Sequence, residues 1–129
     1  MDKEICILLV DDEPDFTKSM SIWLKSKGYS VKVASDGKNA IKMMKEGGAL
    51  DIIFLDLNMP VMDGLEALKK IREFNKNIPV IIISAYVDDP RISKANAYGI
   101  SGVFYKGKDF MEGLFLLETA IKTHKKLKR

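Results

Sequence analysis

The chain is short of several things, and each shortage excludes something. Among 129 residues there is one cysteine, Cys6, so no internal disulfide can form. Cys6 sits inside an apolar run and reads as a core residue, which makes a reducing, cytoplasmic setting the default. There is one histidine, His124, and it falls in the basic C-terminal stretch, so it is not counted as a ligand or a reacting group. No apolar run approaches the roughly 18 residues a membrane span needs. The start, Met1-Asp2-Lys3-Glu4, lacks the basic-then-apolar order of a signal peptide. There is no repeat, low-complexity tract or linker ahead of the tail. The length suits one domain with one core, and at 47% hydrophobic residues such a core is available.

The formal charge of +3 is a property of the tail. Lys122, Lys125, Lys126, Lys128 and Arg129 account for five of the 21 basic residues. The remainder holds 16 against 18 acidic residues, a net −2. Cations at the end of a terminal helix suit its macrodipole. The last eight residues interleave no aromatic, which argues against a direct nucleic-acid contact. The expected division is therefore residues 1–125 as the domain and 126–129 as a basic tail.

Short Val- and Ile-rich runs alternate with helical patterns. Strands are expected at 5–10, 30–34, 52–55, 79–84 and 103–105. The first, third and fourth are apolar throughout, as in strands covered on both faces. Helices between them present Phe16, Met20, Trp23 and Leu24; Ala40, Ile41 and Met44 behind a capping Asp36; Leu65, Leu68 and Ile71; and Ile92 and Ala95 in a weak pattern over 91–98. In the last, Phe110, Leu114, Leu117 and Ile121 follow a capping Asp109. Trp23 and all seven methionines are assigned to the core, Met59 from a loop. This alternation predicts an α/β fold with a parallel sheet and helices on both faces. Ligands then bind beyond the carboxyl ends of the strands.

That rim is chemically apt. Asp11 and Asp12 close the first strand, Asp56 the third, Ser84 the fourth, and Lys106 follows the fifth. Carboxylates are costly to bury, so these clusters are expected outside the sheet, with an exposed Asp56 oxygen. Three carboxylates on one edge repel unless a cation joins them. Hard oxygen ligands suit Mg²⁺, and an aspartate is a known phosphoryl acceptor. A lysine and a hydroxyl would neutralise the equatorial oxygens of a phosphoryl transition state.

Val10-Asp11-Asp12-Glu13-Pro14, the run from Leu55 through Asp56-Leu57-Asn58-Met59-Pro60 to Asp63-Gly64, Ser84-Ala85 and Lys106 together resemble the receiver domain of two-component response regulators, the CheY-like family. The resemblance spans residue 5 to about 125. It implies a flavodoxin-like five-stranded parallel sheet in the order 2-1-3-4-5. It also implies that Asp56 is the phosphoacceptor and that Asp11, Asp12, Asp56 and the backbone carbonyl of Asn58 hold Mg²⁺. Lys106 would bind a phosphoryl oxygen and Ser84 another, the latter drawing its loop inward. Pro60 and Gly64 would shape the loop after Asp56. The implied donor is a histidine kinase or phosphotransfer protein. The domain would catalyse its own phosphotransfer and slow dephosphorylation, as a signalling phosphoacceptor rather than an enzyme. A downstream target would read the face of the fourth helix, fifth strand and fifth helix. The chain would be a monomer or weak dimer.

Two departures stand out. Gly107 occupies the place of the proline that usually follows the lysine, and Lys108 lies close enough to be confused with Lys106. Val103 stands where an aromatic switch residue is common. Tyr105, on the same strand face, and Tyr86, near the mouth of the site, are the candidates to replace it; Tyr86 would also hinder water. Three rivals remain on the residues alone. One is a receiver used only for binding. Another is a phosphatase of haloacid-dehalogenase type, disfavoured because Asn58 stands where its second Asp belongs. The third is an FMN carrier, disfavoured by the acidic first loop.

Overall fold

The structure, a computed structural model, describes residues 4–124; the basic tail at 126–129 lies outside the described residues. In chain order the elements are β1 (Cys6–Val10), α1 (Pro14–Ser26), β2 (Ser30–Ala34), α2 (Gly37–Lys45), β3 (Ile52–Asp56), α3 (Gly64–Phe74), β4 (Val80–Ser84), α4 (Pro90–Asn96), β5 (Gly102–Tyr105) and α5 (Phe110–Thr123). The sheet is parallel throughout, in the order β2-β1-β3-β4-β5. The order turns back on itself beside β1, which leaves the ends of β1 and β3 adjacent at the switch point.

Every expected strand is present, with edges moved by a residue. Ile5 and Pro79 precede β1 and β4; their carbonyls accept bonds from Ser30 and Ile53. β3 extends to Asp56 and β5 begins at Gly102. Asp36 and Asp109 cap α2 and α5 as expected. Asp63 and Asp89 cap α3 and α4 in the same way.

Side-chain alternation divides the core into two layers. Leu8, Val10, Ile53, Leu55, Val80 and Ile82 face α2, α3 and α4, and pack with Ala40, Ala67, Leu68, Ile71 and Ala95. Ile7, Leu9, Phe54, Ile81, Ile83 and Phe104 face α1 and α5, and pack with Met20, Leu24 and Leu117. Trp23, Phe16 and Phe110 pack against this second layer, and Cys6 is buried. The assignment of every methionine to the core fails at Met111, and Met1 lies outside the described residues. Met111 is 54% exposed on α5, because it lies on the helix face opposite the buried Gly113 and Leu117. No helix among the described residues is long and apolar enough to cross a membrane.

Candidate functional site

β1 and β3 run in register, Val10 beside Leu55, so Asp11 and Asp56 emerge side by side. With Asp12 they form a cluster whose ligand atoms lie within 4.8 Å of one another. Only Asp12 is exposed. Asp11 is 2% and Asp56 1% exposed, which corrects the expectation of an exposed Asp56 at the edge. Three partners offset the desolvation that burial imposes. The Glu13 N–H donates to Asp11 Oδ1 at 2.9 Å, the Asn58 N–H donates to Asp56 Oδ1 at 3.2 Å, and the Lys106 ammonium reaches both carboxylates.

Lys106 donates to Asp11 Oδ1 at 3.2 Å and pairs with Glu13. Its Nζ is 2.9 Å from Asp11 Oδ2 and 3.7 Å from Asp56 Oδ2. Neither of those buried oxygens has a hydrogen-bond partner; the 2.9 Å contact to Asp11 Oδ2 is an ion pair outside hydrogen-bond geometry. The ammonium also lies 4.9 Å from the centroid of the Phe16 ring, a cation–π contact that orients it. Burial would lower the Lys106 pKa, but the Glu13 and Asp11 hydrogen bonds and the Asp56 charge outweigh it and hold it above the ordinary value.

Burial first, and the Asp11 charge second, raise the Asp56 pKa from 3.8 to about 7, against the Asn58 N–H and Lys106, which lower it. Two buried oxygens without hydrogen-bond donors, one of them on a carboxyl whose pKa burial and then the Asp11 charge hold above the ordinary value, fit a divalent cation. Asp11, Asp12 and Asp56 supply the hard oxygens that Mg²⁺ prefers.

The loop after β3 is tightly built. A Cβ on Gly64 would lie 2.2 Å from the Asp56 carbonyl oxygen, so only glycine allows α3 to start there. Gly107 has φ +90 and lies within a turn closed by Lys108 N–H to the Tyr105 carbonyl at 3.2 Å. A positive φ at that position suits glycine, and the described chain contains no cis peptide bond. Lys108 belongs to the β5–α5 cleft with Met111 and Phe115, so Lys106 is the lysine of the cluster.

Ser84 ends β4, buried, opposite Tyr105 in register. Its hydroxyl donates to the Tyr86 carbonyl at 2.8 Å and accepts from the Tyr86 N–H at 3.1 Å, so it serves its own loop. Tyr105 and Val103 are half-buried, and Val103 packs against the α2–α3–α4 layer. Tyr86 is 64% exposed.

Sequence reasoning did not find Glu13 and Phe16 as partners of Lys106, nor Arg91, whose Nη1 donates to the Leu57 carbonyl at 2.9 Å. Only the caps had a local signal: Asp63 with Glu66 three residues on, and Asp89 before Pro90.

A family model described as response regulator receiver domain matches residues 7–115. The chemotaxis protein CheY of Treponema pallidum (strain Nichols) is 35% identical over 118 residues, 90% of this chain and 82% of that protein. The transcriptional regulatory protein ZraR of Klebsiella oxytoca is 33% identical over 108 residues, 84% of this chain but 24% of ZraR. The chain thus spans about a quarter of that longer relative. Among solved structures, the response regulator TrrA of Thermotoga maritima, in complex with Mg²⁺ and BeF, superposes with a TM-score of 0.80 at 29% identity, covering 88% of this chain and 96% of that one.

Proposed function

Because the chain belongs to the response regulator receiver domain family of two-component signalling, we propose that it accepts a phosphoryl group on Asp56 from a phosphohistidine. A histidine kinase or a phosphotransfer protein would present that donor. The observation that carries this reading is the gathering of Asp11, Asp12 and Asp56 within 4.8 Å, with one buried oxygen on Asp11 and one on Asp56 that no hydrogen bond satisfies, beside a single lysine.

In the reaction, an Asp56 carboxylate oxygen forms a bond to phosphorus. The phosphorus–nitrogen bond breaks, and its electron pair returns to the donor imidazole. Asp11, Asp12, Asp56 and the Asn58 carbonyl would hold Mg²⁺, which when bound supplies charge neutralisation for the incoming phosphoryl oxygens and keeps Asp56 ionised. Lys106, already 3.7 Å from Asp56 Oδ2, exchanges its Glu13 and Asp11 partners for a phosphoryl oxygen. Ser84 gives up both bonds to Tyr86 to donate to another, which frees the Tyr86 backbone. Water attack on phosphorus later restores the carboxylate, and Tyr86, at the mouth, slows that approach.

Release of the β4–α4 loop shifts a two-state equilibrium on the face of α4, β5 and α5. A cleft of about 330 Å³ on that face, with Tyr105, Met111 and Phe115 among its lining residues, suits an apolar anchor of a target protein. Tyr105, one strand away from Ser84 in register, would replace the aromatic missing at Val103. The setting is cytoplasmic, where two-component donors reside.

Incubation with acetyl phosphate and Mg²⁺, read by intact mass, tests the reading. One added phosphoryl group on the wild type and none on Asp56→Asn is the expected result. Label that still arrives on Asp56→Asn overturns it.

A further inference from the structure

We propose that Arg91 is a positioning residue for Asp56, acting through the peptide group between Leu57 and Asn58. The guanidinium is fixed on one side by Asp89, which accepts from Nε at 3.1 Å and Nη2 at 2.7 Å, and from the Arg91 N–H at 2.9 Å. A two-pronged pair of this kind has little freedom to turn. The third nitrogen, Nη1, is thereby aimed across the sheet edge. It donates to the Leu57 carbonyl at 2.9 Å and lies 3.5 Å from Asp63 Oδ2.

The Leu57 carbonyl also accepts from Gly64 N–H at 3.0 Å. Two donors on one oxygen define its direction. A peptide group is a rigid plane with its C=O and N–H on opposite edges. Fixing the Leu57 carbonyl therefore fixes the Asn58 N–H, and that N–H is the hydrogen-bond donor to Asp56 Oδ1. The chain of contact runs from the start of α4 to the phosphoacceptor through a single amide. Meanwhile the other oxygen of Asp63 caps α3 through the Glu66 N–H at 2.9 Å. Arg91 thus ties together the first turn of α4, the first turn of α3 and the residue after Asp56. A lysine has neither the second prong nor the planar fork to do this.

The coupling is reciprocal. A displacement of α4 loosens the Leu57 carbonyl and with it the orientation of the Asp56 carboxylate. A partner that holds α4 in place tightens both.

The functional arm rests on the phosphoacceptor reading; the structural arm does not. Amide hydrogen exchange, followed residue by residue by NMR, reads the structural arm. Arg91→Ala speeds exchange at Asn58 about tenfold, the loss expected for one charge-assisted hydrogen bond, while the Leu8 and Leu9 amides in the central strand keep their protection. Labelling by acetyl phosphate at saturating Mg²⁺ slows about three- to tenfold, consistent with a misplaced nucleophile. Arg91→Lys lies between Arg91→Ala and the wild type in both readouts. Should Arg91→Ala fail to fold, Asp89→Asn, which retains a capping oxygen and loses one prong, carries both measurements with smaller changes.

Unchanged Asn58 exchange in a folded variant overturns the proposal. So does faster Asn58 exchange with an unchanged labelling rate. A wild type that takes no label defeats the phosphoacceptor reading instead, and the exchange experiment then decides the Arg91 brace alone.

Discussion

The two core layers differ in kind. The layer under α1 and α5 is aromatic: Phe16, Phe104 and Phe110 meet at centroid distances of 6.1–6.4 Å, and Trp23 lies 5.7 Å from Phe110. The layer under α2, α3 and α4 holds no buried aromatic ring among the described residues; aliphatic side chains fill it, with Met43, Met44, Met59 and Met62. Rings in tilted and edge-on contact fix one another's orientation, whereas methionine adapts to altered neighbours. The division matches the chemistry. Strand alternation points Asp56 to the aromatic side, where Lys106 rests on Phe16. It points Ser84 and Tyr105 to the aliphatic side. The groups proposed to react are mounted on the aromatic layer, and the groups proposed to switch on the layer that can repack.

The largest expected break of this contrast is Phe104→Ala. Phe104 is fully buried and packs against both Phe16 and Phe110. Its truncation lowers the unfolding free energy by about 3–5 kcal/mol, measured by urea denaturation with Trp23 fluorescence. It also loosens the ring beneath Lys106, so acetyl phosphate labelling weakens in the fraction that stays folded. A loss under about 1 kcal/mol would mean that the ring cluster does not anchor this layer.

Next in size is the charge that the rigid side must accommodate. The folded Asp56 pKa of about 7 stands above its ordinary 3.8, so the native state holds a proton that the unfolded chain has already released. The contribution of Asp56 to stability is then fully present below about pH 4 and is lost as pH rises through 7. Asp56→Asn removes the penalty. With EDTA present at pH 8 it stabilises the fold by roughly 2–4 kcal/mol, and at pH 4 by almost nothing. Urea midpoints at the two pH values give the difference. Equal midpoints for the two proteins at pH 8 would show that Asp56 ionises there without cost. Mg²⁺ narrows the gap by binding the native wild type.

The layers themselves were legible in the sequence; their coupling was not. Alternating apolar runs and 3–4 spacing are local signals, so every strand and helix could be placed, and five of the site residues adjoin strand ends. Burial of Asp56 was misread because the rule that carboxylates avoid the interior is local, whereas its compensation is not. Lys106 arrives from 50 residues beyond Asp56 in sequence, and Glu13 pairs with it across a separation of 93. Arg91 and Leu57 are 34 apart, joined only because β3 and β4 are neighbours. Gly107 could be read only as a departure until its positive φ explained the residue type.

A smaller effect sharpens the contrast from the adaptable side. Met59 is buried in the aliphatic layer. Met59→Leu preserves volume there and costs under about 1.5 kcal/mol. It leaves Lys106 and Phe16 untouched, so labelling by acetyl phosphate keeps its rate. A loss approaching that of Phe104→Ala would show the aliphatic layer to be as exacting as the aromatic one.

The smallest effect has the opposite sign and concerns strain. Val61 is the one non-glycine residue with positive φ among the described residues, at 68°, and it is fully exposed. The Met62 N–H donates to the Pro60 carbonyl at 2.7 Å, closing a γ-turn around it, the strained form with positive φ. A β-branched side chain there crowds the carbonyl and costs about 1–2 kcal/mol, and no packing repays it. The strain sits on the loop between Asp56 and α3, which feeds the aliphatic layer. The turns on the aromatic side use glycine wherever φ is positive, at Gly28 and Gly107. Val61→Asn, which tolerates this conformation, therefore raises stability by about 1 kcal/mol. Val61→Gly gains less, because glycine adds freedom to the unfolded chain. Urea denaturation of both variants ranks them. A destabilised Val61→Asn would mean that the valine is held by contacts the loop makes elsewhere, and that the two sides of the sheet do not differ in strain.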